Sequence, residues 1–291
     1  MHRYLRAIGF SDVKRKEDAR ELIEDTILRP NYFNQYKISD DCSLHQCEKF
    51  INDDIGISII GEWDDNETPE VDYLSPFLIN GEVTTKAAVE VEPLSDRDGY
   101  LGVCEDMHVE ISLIFNVHNV IEVKKELEKE EKEKSETSLT LFGLSLGGKI
   151  LFPVTKSKEQ LENSKKYNAN RNRLVAQARK GDERAMESLT LSDIDTYTDI
   201  ARRIVNEDVF SLVDSYFMPY GIETDKYSIM GEILGWNKSV NPFTEEELYI
   251  MHINCSDLEF DVCINKEDLL GEPAVGRRFK GEIWLQGIIN F

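Results

Sequence analysis

Thr190-Leu-Ser-Asp-Ile194-Asp-Thr-Tyr197-Thr-Asp-Ile-Ala201-Arg-Arg-Ile204-Val205-Asn206-Glu-Asp-Val209-Phe210-Ser-Leu-Val213-Asp-Ser-Tyr216-Phe217 divides the sequence into unlike parts. Leu191, Ile194, Tyr197, Ala201, Ile204 and Val205 recur at the three-and-four spacing that lines one face of a helix. Thr190 with Asp193 three places on reads as a capping box. Asn206 then caps a second helix whose Val209, Phe210, Val213, Tyr216 and Phe217 repeat the stripe until Pro219 and Gly221 stop it. The expectation is two consecutive helices with buried faces, closing a helical middle that runs from Ser157 to Phe217.

On either side the patterns change to strands. Upstream, Glu17 to Leu28 places Ala19, Leu22, Ile23 and Ile27 on one helical face and is stopped by Pro30. Ile55 to Trp63 (Ile-Gly-Ile-Ser-Ile-Ile-Gly-Glu-Trp) is rich in β-branched residues and reads as a strand. Val71 to Ile79, Ala87 to Val91 and Val109 to Val117 add strands, separated by turn signals at Asn80-Gly81 and at Asp96 to Gly99. Glu122 to Glu136 holds five lysines and seven glutamates and reads as a solvated helix or flexible insertion. Leu139 to Leu146 and Lys149 to Val154 read as a hairpin turning on Gly147-Gly148. Downstream, Tyr227 to Leu234, Leu248 to Asn254, Leu258 to Ile264 and Phe279 to Ile289 are expected strands, with a helical turn from Lys266 to Leu270.

The flanks echo each other. Ser58-Ile-Ile-Gly-Glu62 matches Ser228-Ile-Met-Gly-Glu232, and Glu110-Ile-Ser-Leu113 matches Glu282-Ile-Trp-Leu285. Alternating Ala87, Val89 and Val91 fall near Leu258, Phe260 and Val262. A duplication gives such spacing, and so does chance in a chain rich in these residues. The expected fold class is α+β: two mainly antiparallel β-rich regions, an internal duplication if the echo is one, joined by the helical middle. The expected division is 1–154 (an N-terminal α+β region with a hairpin) and 155–291 (a helical segment plus a C-terminal β-rich region). Under duplication, Trp284 stands where the first copy has Ser112, and the Val209, Phe210 and Val213 stripe is the candidate to cover it.

The chain has 291 residues, 41% of them hydrophobic, enough for a substantial core, and a formal net charge of -22. That charge opposes loose association with nucleic acid or anionic lipid. No apolar run approaches the roughly 18 residues of a membrane span, and the opening residues lack a signal-peptide core. Five scattered cysteines suit reduced thiols, so a cytoplasmic location is expected.

Motifs with chemistry are weak. Gly143-Leu-Ser-Leu-Gly-Gly148-Lys149 has the glycine and lysine spacing of a phosphate loop, but Ile150 replaces the required hydroxyl and the following residues are strand-like. Cys42, His45 and Cys47 lack a second ligand pair for zinc. Cys104 and His108 lack an orienting third group for nucleophilic catalysis. Neither a catalytic residue nor a metal or cofactor site is assigned. One reversal of charge exists: Lys156 to Arg184 carries nine basic residues against four acidic. Such a stripe seats phosphate or pairs with the chain's own acidic surface.

Ala178-Arg-Lys-Gly-Asp-Glu-Arg-Ala-Met-Glu-Ser-Leu-Thr-Leu-Ser-Asp-Ile-Asp-Thr-Tyr197, Asp208 to Gly221, Gly271 to Gly287 and the opening Met1 to Phe10 together resemble an uncharacterised bacterial family, domain of unknown function 3881, met mainly in anaerobic Gram-positive bacteria. The resemblance spans essentially the full length and implies no activity, ligand or catalytic residue. Two functional expectations remain. The first is a cytoplasmic binding, scaffold or regulatory protein without catalysis, engaging a protein or small-molecule partner. The alternative is an enzyme acting on a phosphorylated or nucleotide-like small molecule, with Arg277, Arg278, Lys280 and Arg202 as candidate anion contacts.

Overall fold

A computed structural model describes residues 3–291 apart from 16, 65–68, 80, 87, 95–98, 106–110, 130–136, 155–169, 172, 179, 204–212 and 223. A four-stranded antiparallel meander comes first: β1 (Tyr32–Lys37), β2 (Cys42–Phe50), β3 (Ile55–Asp64) and β4 (Pro69–Leu78), in that order. A larger sheet follows from β5 (Val89–Pro93), β6 (Tyr100–Cys104), β7 (Leu113–Val117), β8 (Ser138–Leu151), β9 (Tyr216–Pro219), β10 (Lys226–Val240), β11 (Glu247–Cys255), β12 (Leu258–Asn265), β13 (Leu269–Leu270) and β14 (Arg278–Asn290). Within it β8, β12, β11, β10 and β14 close into a five-stranded barrel, because β8 pairs in parallel with β12 and antiparallel with β14. β14 continues the sheet through β7, β6 and β5. The barrel takes β8 from residues 1–154 and its other four strands from 155–291, so the two regions share one sheet.

Strand alternation builds two cores from the same strands. Ile229, Met251, Phe260, Phe279, Ile283 and Leu285 fill the barrel. The outward-facing Phe142, Leu144, Leu248, Ile250, Cys263 and Trp284 pack with Ile55, Ile57 and Ile59 of β3 and with a 3-10 turn at Arg3–Ile8. Trp284 is buried: Tyr4 of that turn stacks on it at 5.3 Å and its Nε1 donates to Asp225 Oδ2 at 2.7 Å. The N-terminal turn covers this face; Val209 and Phe210 of the expected stripe lie outside the described residues.

The helices differ from expectation in instructive ways. The expected N-terminal helix is present as α1 (Arg20–Leu28). The lysine- and glutamate-rich stretch begins inside a packed helix, α2 (Val120–Leu127), which buries Val120, Ile121, Val123 and Glu126, so its first turns are not a solvated insertion; residues 130–136 lie outside the described residues. The long helix α3 (Glu183–Arg203) starts earlier than Thr190, with Asp182 Oδ1 accepting from the Arg184 and Ala185 amides at 3.0 and 3.3 Å. Thr190 is interior and donates to the Met186 carbonyl at 2.9 Å. Leu191 and Ile194 are exposed, not buried. The second expected helix lies largely at 204–212, outside the described residues, and its last members Tyr216 and Phe217 belong to β9. Phe217 is buried against Tyr227, ring centroids 4.6 Å apart.

Gly147-Gly148 is no hairpin: β8 continues through it as one strand of 14 residues. A Cβ at Gly148 would stand 2.4 Å from the Phe279 ring, so this glycine serves close approach of β8 to β14 rather than a turn. The echoed segments also sit in unlike places. β3, carrying Ile59 and Gly61, lies between β2 and β4, while Leu113 lies in β7 of the other sheet. Their counterparts Ile229 and Leu285 lie in β10 and β14, which are neighbours. What Gly61 and Gly231 share is local: an added Cβ would meet a carbonyl oxygen of the adjacent strand, Glu70 at 2.3 Å and Asn254 at 2.6 Å.

Candidate functional site

The β8–β14 ladder that closes the barrel is irregular at one point. Gly281 pairs with Gly148 and Ile283 with Ser145, so Leu146 and Gly147 together oppose Glu282. This is a bulge, which bends the strand and re-aims side chains. Ser145 Oγ ties it down, lying 2.8 Å from the Glu282 carbonyl oxygen and 3.1 Å from that of Gly147. On the outer face above the bulge is a cleft of about 460 Å³. Arg3 and Tyr4 of the N-terminal turn form one wall and Leu270 of β13 another; Ser228, Gly147, Lys149 and Lys280 to Glu282 lie beneath.

The cleft is cationic in an acidic chain. Lys149 and Lys280 are direct register partners across the ladder and both are half-buried. Opposed residues place their Cβ atoms about 5 Å apart, and like charges directly opposite each other disfavour a strand pair. Arg3 adds a third cation, its guanidinium 5.2 Å from the Tyr4 ring centroid. Glu282 is the carboxylate of the lining; Tyr220 donates to it, which pushes the Tyr220 phenol up, while Arg3 nearby pulls it down. Gly147 has open space where a Cβ would stand, so backbone there is accessible from the cleft.

Of the four candidate anion contacts, Lys280 lines the cleft. Arg278, two residues earlier on β14, is buried and bonds carbonyls: Nε and Nη2 donate to Phe152 at 3.0 and 2.9 Å, and Nη1 to Val213 at 2.7 Å. It clasps the two points between which the chain leaves β8 and returns to β9. Arg277 donates to the Glu272 carbonyl at 2.8 Å and lies 5.7 Å from the Phe152 ring centroid. Arg202 is exposed near the end of α3. Sequence reasoning missed Arg3, Ser228 and Glu282, for which no local pattern exists. It passed over Lys149, whose signal was the Gly-Gly-Lys of the phosphate-loop-like stretch, here on a strand.

Other reactive groups lie apart from the cleft. Cys42 sits on the opposite face of β2 from His45 and Cys47, by strand alternation, and its Sγ is 3.4 Å from Glu62 Oε2. His45 stacks on Trp63 at 4.5 Å and burial pulls its pKa down; burial pushes the Cys47 thiol up to about 11. Cys104 is buried in β6, and His108 lies outside the described residues. Between the meander and the barrel, buried His118 Nε2 is 3.0 Å from Glu48 Oε1, and Gln46 Nε2 donates to the same oxygen at 2.8 Å. On the barrel exterior His252 Nδ1 lies 2.8 Å from Asp261 Oδ1. Of the Lys156 to Arg184 stripe, residues 155–169, 172 and 179 lie outside the described residues.

Compared with known proteins, residues 5–287 match the family described as "Domain of unknown function, E. rectale Gene description (DUF3881)". No curated protein and no solved structure matches the chain.

Proposed function

The chain belongs to the DUF3881 family, and we propose that it is a cytoplasmic binding protein, without catalysis of its own, that takes a small anionic ligand in the cleft above the β8–β14 bulge. The observation that carries this reading is the Lys149–Lys280 cross-strand pair with Arg3 beside it, in a chain of net charge -22. An oxyanion in this cleft would lie beside both lysines, which can donate charge-assisted contacts to it. The acidic remainder favours a ligand small enough to enter the cleft over an extended polyanion, which would meet repulsion along most of its length. The alternative, an enzyme acting on a phosphorylated molecule, would use the same cleft. The described lining offers Ser228 and Glu282 but no histidine or thiol, which favours binding over transfer. A cytoplasmic location is supported by the composition and five free cysteines; among the described residues no helix is long and apolar enough to cross a membrane.

The test is calorimetric titration with inorganic phosphate. Lys149→Gln/Lys280→Gln should weaken binding by about tenfold or more, since each charge-assisted contact contributes on the order of 1 kcal/mol. Gly147→Val, which fills open space without touching a charge, should weaken it as well. Phosphate affinity unchanged in both variants would sink the proposal.

A further inference from the structure

Among the described residues β1, β4, β5, β9 and β13 each leave one side of the backbone unpaired by another strand. Such edges template unwanted pairing unless something blunts them. β4 carries Pro69, Pro76 and a bulge between Val71 and Tyr73; β5 carries Glu90, Glu92 and Pro93; β9 and β13 are four and two residues long. β1 has none of these devices. It runs for six residues in unbroken register with β2, from Tyr32 opposite Glu48 to Lys37 opposite Ser43. From Arg29 to Ser39 the chain has no acidic residue, although it has 56 in all. The direction of the β1 amides follows from two bonds. Ile38 donates to the Cys42 carbonyl at 3.0 Å, whereas Gln35 donates to Asn34 Oδ1 at 3.0 Å and not to β2. Amides alternate along a strand of an antiparallel ladder, so Phe33, Gln35 and Lys37 point theirs away from β2. The contacts of Tyr32, Asn34 and Tyr36 with α2 use side-chain atoms and leave this backbone edge alone.

We infer that β1 pairs antiparallel with β1 of a second copy of this chain, about a two-fold axis at Gln35, so that the two meanders form one continuous sheet. Centring on Gln35 sets that residue against its own copy and Phe33 against the partner's Lys37. This register engages the whole strand and matches each outward N–H and C=O of Phe33, Gln35 and Lys37 with one across the axis. The same patch serves both copies, as a two-fold interface requires. Phe33 is exposed, and its ring meets His45 edge-on at 5.2 Å. Pairing covers its other side with a lysine stem, while the Lys37 ammonium keeps Asp40, 2.7 Å away. The strand brings no like charges opposite each other, in a chain whose net charge of -22 opposes self-association through its acidic surfaces. The Gln35 amide exchanges its local bond for one across the axis, and Asn34 Oδ1 keeps its bond from Lys125 Nζ at 2.6 Å.

Sedimentation velocity on the full chain over a concentration series tests this. A six-residue strand makes a small interface, so the parent should shift from monomer toward dimer as concentration rises. Gln35→Lys and Gln35→Glu each set a charge against itself across the axis, and each should weaken the dimer by at least about tenfold. Mixed in equal amounts, the two variants should form a heterodimer with parental affinity or tighter, a recovery that damage to either fold would not produce. Gln35→Pro removes an N–H that takes no part in the β2 ladder and should give monomer. A parent that stays monomeric at every concentration would overturn the inference and leave the edge to another occupant. So would a dimer indifferent to all three substitutions, or charged variants whose mixture remains monomeric.

Discussion

Arg278→Met should destabilise the protein through two carbonyl groups 61 residues apart (213 - 152 = 61), those of Phe152 and Val213. The guanidinium is buried, and its three bonds to these oxygens span 2.7 to 3.0 Å. Methionine replaces most of the aliphatic stem and removes every donor. An orphaned buried acceptor costs about 1–3 kcal/mol, so these two bonds, only partly buried, give at most roughly 2–6 kcal/mol. Relief of the desolvated guanidinium acts against this, and the exposed Phe152 side chain leaves water a path to its own carbonyl. The expected net loss is about 2–3 kcal/mol, read as a lower urea midpoint with unchanged denaturant slope. Arg278→Lys, a point charge without the planar fork, should recover only part of it. Because the clasp joins the two ends of residues 153–212, trypsin should also cut that stretch faster in Arg278→Met than in the parent, relative to cutting elsewhere. A stability change under about 0.5 kcal/mol, the scale of ordinary surface substitutions, together with unchanged cleavage would refute the clasp.

Gly61→Ala should cost about 1–3 kcal/mol because its Cβ would sit 2.3 Å from the Glu70 carbonyl oxygen, forcing β3 and β4 apart; a neutral outcome in urea denaturation would show that the ladder yields freely. In the folded protein a thiol reagent should react rapidly at one of the five cysteines, Cys42, since the other four are buried; two or more fast thiols per chain would contradict the packing. Asp261 is the group to follow by pH: burial raises its pKa above the ordinary 3.8 while the His252 hydrogen bond lowers it, with a net rise. The folded state therefore holds that proton more tightly than the unfolded one, so its contribution to stability is present at low pH and is lost as pH climbs from 3.8 through the raised value. Asp261→Asn should remove this decline, and parallel stability profiles for variant and parent over that interval would count against it.

The strands legible in the sequence were those whose inward positions are apolar. Ile55, Ile57 and Ile59 alternate into one core and Phe279, Ile283 and Leu285 into another, and both β3 and β14 emerged near their expected limits. β2 escaped because its inward face reads Leu44, Gln46, Glu48: two of three are polar, and they are tolerable only because Gln46 Nε2 donates to Glu48 and, at 3.0 Å, to the His118 carbonyl. No window of β2 contains His118. Likewise β1, Tyr-Phe-Asn-Gln-Tyr-Lys, is an edge strand whose Tyr32 hydroxyl bonds Glu122 of α2 at 2.8 Å, a contact 90 residues away in sequence. The candidate site suffered from the same distance. Lys280 was named from a basic cluster and Glu282 is two residues from it on β14, but Lys149 meets it only through closure of the barrel, across more than 130 residues, and Arg3 only through docking of the N-terminal turn.

That closure also explains why glycines gather where the cations do. A five-stranded barrel is narrow, and an aromatic such as Phe279 beneath its closing seam needs room that the neighbouring backbone must yield. Gly148 and Gly281 yield it: a Cβ on either would come within 2.5 Å of the Phe279 ring. Gly147, between Ser145 and these contacts, meets nothing within 4 Å and so answers to no such demand. Packing accounts for two of the three glycines on the cleft floor, and the third opens onto the cleft. The lysines divide in the same way from the rest of the surface. A chain with 56 acidic and 34 basic residues could have opposed Lys149 or Lys280 with a carboxylate, the ordinary way to stabilise a cross-strand pair. It places lysine against lysine instead, beside a bulge in the ladder. Fold and site thus meet on the same two strands: what packs Phe279 inward also bares the backbone and the ammonium groups outward.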